Sequence, residues 1–376
     1  MLLTSDQEMI RDAVRDFARE QLWPHAARWD RERVFPREAH QGLAALGAYG
    51  ICVPEEYGGA GLDYLSLALV LEEIAAGDGG TSTAISVTNC PVNAILMRYG
   101  SEEQKRQWLT RLARGELLGV FCLTEPHVGS DASALRTTAR RNGDHYVLDG
   151  VKQFITSGKN GHLAIVIAVT DKGAGKRGMS AFLVPTDTPG YVVARLEEKV
   201  GQHSSDTAQV NFENCRIPAA HRVGEEGEGY RIALSALEGG RIGIAAQSVG
   251  MARSAFEFAL QYAKERESFG TAIFNHQAVA FRLADCATQL EAARQLVWHA
   301  AALRDAGRPC LKEAAMAKLF ASEMAEKVCS AALQTLGGYG YVNDFPVERI
   351  WRDVRVCQIY EGTSDVQKIL IQRALA

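Results

Sequence analysis

Residues 359–365, Ile-Tyr-Glu-Gly-Thr-Ser-Asp, set one carboxylate, Glu361, among apolar and small residues directly after a basic amphipathic segment. Burial beside Ile359 and Tyr360 would disfavour the ionised form and raise the pKa of the carboxyl toward neutrality, which suits a group that accepts a proton at physiological pH. Gly362 adds backbone that a substrate can approach closely. The same residues also fit a turn begun at Glu361, with Thr363 or Ser364 capping a last helix over 365–376. On pattern alone, a general base and a turn glutamate stand level.

Other chemistries find less support. The eight cysteines, at 52, 90, 122, 215, 286, 310, 329 and 357, contain no C-x-x-C pair, so neither a zinc site nor a dithiol redox motif is encoded locally. His127 and His203 lack metal-ligand spacing and read as structural or supporting residues. No G-x-G-x-x-G follows a strand: 224–229 and 337–340 both fail the spacing and the context, which argues against a Rossmann dinucleotide site. A net charge of -4 with both signs interspersed leaves no basic stripe for nucleic acid, and the Gly-rich basic run 172–177 reads as a solvated loop. The first 23 residues alternate charged and apolar positions without an h-region or cleavage site, and no apolar run reaches membrane-spanning length. The expected setting is a reducing one, cytoplasm or a mitochondrial matrix after transit-peptide removal.

The elements that must hold Glu361 follow from periodicity. At 376 residues the chain is long for one core and suggests two or three domains. Helices are expected over 6–21, 38–46, 64–76 and 102–114, the last capped by Ser101, with Gly-rich loops between them. From 118 to about 223 short apolar or alternating runs take over, including 145–148, 163–169, 180–184 and 208–212, with Asn142-Gly143 as a hairpin turn. Helical period then returns: Val249, Ala252, Phe256 and Ala259 share one face, and Val279, Leu283, Cys286, Leu290, Ala293 and Val297 another. A helix over 311–336 and a short one after Pro346 complete a four-helix antiparallel bundle. The expected class is α+β, mostly α: a helical domain over 1–118, an antiparallel β domain over 119–223 and a helical bundle over 224–376.

Four blocks, in order, resemble the acyl-CoA dehydrogenase family, and the similarity spans 6–373. They are Phe-Cys-Leu-Thr-Glu-Pro-His-Val-Gly-Ser-Asp at 121–131, Lys-Gln-Phe-Ile-Thr-Ser-Gly at 152–158, Arg-Glu-Ser-Phe-Gly at 266–270 with His276-Gln277-Ala278, and Gln-Thr-Leu-Gly-Gly-Tyr-Gly at 334–340 leading into Glu361. The resemblance implies α,β-dehydrogenation of an acyl-CoA to the trans-2-enoyl-CoA, Glu361 removing the α proton while the β hydride passes to flavin N5. It also implies FAD in a cleft between the β domain and the bundle, held by residues of two subunits, a homotetramer, and an electron-transferring flavoprotein as partner. Leu123, Thr124, Ser130, Phe154 and Thr156 then face the flavin ring and its neighbourhood, and Thr363 bonds the flavin or caps the last helix. Phe154 stands where many relatives carry Trp, which keeps an aromatic face and loses an N–H. Arg266, Phe269, Gln277, Gln334, Gly337 and Gly338 fall in the blocks that hold the pyrophosphate and adenosine end in the adjoining subunit, where a guanidinium can fork onto phosphate.

On the substrate side the resemblance assigns Ser130, Glu238, Arg241, Tyr360 and Gly362. Glu238 matches an acidic group that contacts the pantetheine, or is an exposed helix glutamate; Arg241 matches a cation near the catalytic glutamate, or forms a helix salt bridge. Tyr360 lines the thioester pocket or is a core tyrosine. Some relatives place the base just before the arginine of 237–241, and Gly240 occupies that position here. Residues 81–90 resemble short-chain members more than medium-chain ones and favour short acyl groups, branched ones included. An oxidase on the same fold and a non-enzymatic flavin or acyl-CoA scaffold are the rival readings.

Overall fold

The computed structural model describes residues 2–376, and its elements run as helices, then strands, then helices. α1 (Ser5–Phe17) opens on a reciprocal cap, Thr4 Oγ1 accepting from Gln7 N–H and the Gln7 side chain accepting from Thr4 N–H. It continues through one wide π-type turn, Ala18–Leu22, into α2 (Trp23–Glu32), well past the end expected at residue 21. Pro24 follows this π-type turn closely, where the altered hydrogen-bond ladder accommodates its missing N–H. α3 (Arg37–Ala45) and α4 (Tyr64–Gly77) lie where periodicity places them, and α4, buried on nearly every side, is apolar except for Ser66 and the pair Glu72-Glu73.

Residues 79–99 give no helix signal, since Gly79, Gly80 and Pro91 read as loop residues. The structure has α5 (Gly79–Val87), a π-type turn Thr88–Asn93 that contains Pro91, and α6 (Ala94–Tyr99). The expected helix over 102–114 is interrupted: α7 (Glu102–Gln104), capped by Ser101 as anticipated, passes through a π-type turn, Lys105–Leu109, into α8 (Thr110–Ala113).

The middle of the chain forms an eight-stranded sheet from β1 (Gly119–Cys122), β2 (Thr138–Asn142), β3 (His145–Thr156), β4 (Leu163–Val169), β5 (Met179–Pro185), β6 (Tyr191–Leu196), β7 (Thr207–Pro218) and β8 (Arg222–Val223). Its order is β6-β7-β3-β2-β4-β5-β8 with β1 beside β4, and only the β1–β4 and β2–β4 pairings are parallel. The Asn142-Gly143 hairpin forms as expected, with Asn142 opposite His145 and Gly143 at φ 63°. β4 presents alternate residues to two faces: Leu163, Ile165 and Ile167 pack with Val92, Ile95, Leu109 and Leu112 of the helical segments, and Ala164, Val166 and Ala168 toward the other face with Tyr146 and Phe182.

The C-terminal part contains α9 (Gly229–Glu265), a short ribbon of β9 (Glu267–Ser268) and β10 (Thr271–Ala272), α10 (Gln277–Asp305), α11 (Leu311–Leu336), α12 (Val347–Val354) and α13 (Ser364–Leu375). α4 packs on α9 as the bundle helices do, so α1, α4 and α9–α12 share one continuous core. Two buried carboxylates staple that junction. Glu73 bonds Arg15 and Arg253, and Glu72 bonds Arg253 and Arg294, which ties α1, α4, α9 and α10 together.

Candidate active site

After α12 a tight turn, Arg355–Gln358, delivers the chain to Glu361, which adopts a left-handed backbone at φ 54° followed by Gly362 at φ 88°. A non-glycine residue there costs about 1–2 kcal/mol, so the surrounding contacts must hold it. They do so from two helices. Gly362 O accepts from Lys318 Nζ of α11 at 2.7 Å and from Gln367 Nε2 of α13 at 2.8 Å, and the same amide reaches Glu361 O at 3.2 Å. Thr363 Oγ1 accepts from Val366 N–H and caps α13. Glu361 is therefore both things the pattern allowed, a residue of the capping turn and an enclosed carboxyl.

The carboxyl lies against α9. A methyl group added at Gly240 would sit 2.7 Å from Glu361 Oε2, so only glycine lets the helix backbone come this close. Oε2 is shut off from solvent without a hydrogen-bond partner. That burial pushes the Glu361 carboxyl up to about 7, against the opposing pull of Arg241 and Lys318. The enclosing surface differs from the expected one: Ile359 is 53% exposed, and the turn presses Glu361 onto α9 instead. Arg241 is itself buried; burial lowers its pKa while Glu361 and Glu238 raise it.

Tyr360 donates from its hydroxyl to Gln247 Oε1 at 2.6 Å. Gln247 donates to Gly79 O and Thr83 Oγ1, and Thr83 donates to Gln202 Oε1, so a buried polar network ties α5, α9 and the β6–β7 connection to the turn that carries Glu361. Glu238 is half-buried on α9. It pairs with Arg304 Nη1 at 3.3 Å, and that guanidinium stacks on Tyr64 at 4.4 Å. The His203 ring bonds Asp30 at 2.8 Å and Lys199 O at 2.7 Å, and the Asp30 bond raises its pKa. His127 stands 3.7 Å from Glu125 on a partly exposed loop.

A second cluster sits where the loop after β1 meets the end of β3. Thr124 O accepts from Gln153 N–H, and Leu123 O accepts from Lys152 Nζ. Lys152 also bonds Glu125 at 2.9 Å, and Glu125 accepts from Arg136 and Thr137 N–H, so a fully buried ion pair fixes the loop that carries Leu123, Thr124 and Ser130. Register slips between Lys152 and Ile155, and within that bulge Phe154 adopts φ 59° and stays 62% exposed. A bulged strand with an outward aromatic in a strained conformation offers a ledge for a flat ring beside Thr156.

The third cluster is a surface groove of about 690 Å³ that brings together Arg266, Gln334, Gly337 and Gly338, with Tyr262 and Tyr339. The Arg266 guanidinium lies over the Tyr339 ring at 5.8 Å. Phe269, at φ 53°, is 96% exposed, and Gln277 is exposed in the first turn of α10. Nothing lies within 4 Å of a side-chain position at Gly337 or Gly338, so their backbone is open to an incoming group. Among the described residues no group of three or more His, Cys, Asp or Glu could hold a metal ion, and no helix is long and apolar enough to cross a membrane.

Sequence reasoning missed Lys152, Glu125, Lys318, Gln367 and Gln247. Lys318 carried a signal, a charge at the spacing of the core-facing Ala314, Ala317 and Ala321. Gln247 carried none, because its partners are distant in sequence, and Gln367 carried none, because its residue type does not reveal that the amide turns back onto the carbonyls of Glu361 and Gly362, six and five residues before it.

Comparison with known proteins adds three findings. Family models match over most of the chain: acyl-CoA dehydrogenase, N-terminal domain, at residues 4–116, middle domain at 120–215 and C-terminal domain at 227–376. The chain is 46% identical to the mitochondrial short-chain specific acyl-CoA dehydrogenase of Homo sapiens over 98% of its own length and 90% of that protein. Among solved structures it is similar to butyryl-CoA dehydrogenase from Megasphaera elsdenii (TM-score 0.98, 40% identity, 100% of this chain and 99% of that one). It is also similar to a chain solved under the description "Electron transferring flavoprotein of Acidaminococcus fermentans: Towards a mechanism of flavin-based electron bifurcation" (TM-score 0.99, 46% identity, 100% and 99%). With every domain matched in order and the helix–sheet–helix architecture shared, this chain belongs to the acyl-CoA dehydrogenase family of FAD-dependent oxidoreductases.

Proposed function

We propose that this enzyme oxidises a short acyl-CoA at its α,β bond to the trans-2-enoyl-CoA, with Glu361 as the base, and passes the electrons to an electron-transferring flavoprotein. The observation that carries the reading is the enclosed Glu361 carboxyl on Gly240, with its pKa near 7. A base of that strength is half-ionised at neutral pH and strong enough to share an α proton in the transition state. Among the described residues nothing accepts from the Glu361 N–H, which leaves it free to donate to the thioester oxygen as negative charge develops there. Arg241 and Lys318 favour the ionised carboxylate before transfer. The kcat/KM profile should fall about tenfold per pH unit below a midpoint near 7. A midpoint near that of an ordinary glutamate would contradict the buried-base reading.

FAD, when bound, accepts the β hydride. The residues present fit it: the exposed Phe154 ledge with Thr124 and Thr156 suits the ring, and the Arg266–Gln334–Gly337–Gly338 groove suits an anionic, ring-bearing tail. All of the groove's assigned residues point outward, which fits their serving a neighbouring subunit's cofactor in a homotetramer. Phe269, Phe281 and Tyr341 are exposed aromatics that assembly would cover. Thr363 is committed to its cap through an oxygen lone pair, so any flavin contact uses its hydroxyl proton or remaining lone pair.

Short chains are favoured by the glycine face of α9. Side chains press directly on its backbone: Tyr64 Oη at Gly239, the Glu361 carboxyl at Gly240, and Ser86 Oγ with Cys90 Sγ at Gly243. Tyr64 and Cys90 thus close the space beyond the base. Trimming Tyr64 to Ala should raise kcat/KM for octanoyl-CoA relative to butyryl-CoA by about tenfold, the scale on which apolar pockets discriminate. An unchanged ratio would place the end of the pocket elsewhere. The reading as a whole is tested by turnover of the holoenzyme with butyryl- to decanoyl-CoA, using an electron-transferring flavoprotein or oxygen as acceptor. Butyryl-CoA with the flavoprotein should be fastest; peroxide formed at the turnover rate would make the enzyme an oxidase, and decanoyl-CoA outrunning butyryl-CoA would overturn the short-chain assignment.

A further inference from the structure

We propose that Lys318 is a positioning residue for proton transfer: its bond to the Gly362 carbonyl holds Glu361 in the left-handed conformation, and its buried charge favours the ionised carboxylate. The inference rests on Glu361 being the base. Lys318 is fully excluded from solvent on the core face of α11, between Ala314 and Ala321. Its ammonium makes one hydrogen bond, to Gly362 O at 2.7 Å. A buried ammonium with a single neutral acceptor is costly, and an apolar residue would pack the same site without that cost. What the ammonium does provide is a hold on the one carbonyl that follows the strained Glu361, shared with the Gln367 amide.

The electrostatics agree. Glu361 is faced by Arg241 from α9, Lys318 from α11 and the Cys90 thiol from the turn after α5; Lys318 is faced in turn by Cys357, Glu361, Arg241 and Glu323. Both thiols are pushed up by burial and stay neutral, so the two cations are what hold down the carboxyl. Burial lowers the Lys318 ammonium to about 8, with Cys357 and Glu361 pulling it back up.

Lys318→Met keeps the length of the stem and removes both the bond and the charge, whereas Gln367→Met removes a bond to the same carbonyl at constant charge. In holoenzyme of equal flavin content, Lys318→Met should lower kcat roughly 10- to 100-fold with little change in KM, as expected for a misplaced base. It should also move the acid limb upward by about one pH unit. Gln367→Met should lower kcat without moving that limb, and Lys318→Arg should restore the limb. A readout independent of turnover is the protonated-carboxyl band in the infrared difference between each variant and its Glu361→Gln double, titrated against pH; it should move with the limb. If Lys318→Met does not fold, Lys318→Gln, a neutral donor, carries the same charge test. An unmoved limb and an unmoved carboxyl titration in the folded neutral variant would overturn the proposal. Glu361→Gln separates the two failures: if it turns over as wild type does, the base assignment falls; if it is crippled while the neutral Lys318 variant is unshifted, only the role of Lys318 does.

Discussion

Glu361→Gln should lower turnover by roughly 10²- to 10⁴-fold, while the protein remains folded and yellow. The amide matches the carboxyl in shape, so it fills the same space against Gly240 without the overlap a larger group would cause. Of the groups that face it, Lys318 and Arg241 are cations and burial holds the Cys90 thiol neutral, so none of them substitutes as a base. The substitution also has a signature in stability. A carboxyl whose pKa rises on folding, here from 4.5 to about 7, binds its proton more tightly in the folded state. Its contribution therefore becomes less favourable as pH climbs from about 4.5 through 7. In Glu361→Gln that loss disappears, so the variant's melting temperature, relative to wild type, should improve between pH 5 and 8. Equal pH dependence of the two melting curves would mean that the carboxyl is not buried in solution.

Arg266→Ala should give an enzyme that sheds its flavin on dilution. Arg266 has no structural duty inside its own chain beyond lying over Tyr339, and it stands in an open groove with Gln334, Gly337 and Gly338. Removing a guanidinium that forks onto phosphate costs about 1.5–3 kcal/mol per charged hydrogen bond, a 10- to 100-fold or greater loss of affinity. Since the groove is proposed to serve the neighbouring subunit, the loss should grow as the oligomer dissociates. Flavin-to-protein absorbance after gel filtration over a dilution series, with mass measured in the same run, checks both. Full yellow occupancy at every concentration would remove Arg266 from cofactor binding.

Much of the architecture was legible because it is local. The apolar run 163–169, the Asn142-Gly143 turn and the helix over 311–336 each depend on neighbours within a few residues, and each appears where it was expected. The helices that escaped notice, α5 and α6, run through Gly79, Gly80 and Pro91, residues whose intrinsic preferences oppose helix. Packing overrides them: Gly79 and Gly80 are approached closely by Met251 and Ser204, and a π-type turn contains Pro91. The same division runs through the site. Glu361 announced itself as a lone carboxylate among apolar and small residues, and the four matched blocks pointed to the groove and the ledge. What fixes those groups did not announce itself, since Lys318 meets Gly362 across 44 residues and Lys152 meets Glu125 across 27. The left-handed conformations at Phe154 and Glu361 are likewise invisible in residue type, because nothing about Phe or Glu asks for them.

The most direct test is anaerobic mixing of the purified holoenzyme with butyryl-CoA while the flavin absorbance is followed, with isobutyryl-, isovaleryl- and octanoyl-CoA alongside. Bleaching by butyryl-CoA that is fastest of the four, rises with pH through a midpoint near 7 and is largely lost in Glu361→Gln with flavin still bound is the predicted result. A yellow wild-type protein that none of the four bleaches, or bleaching that is as fast in Glu361→Gln, would contradict it.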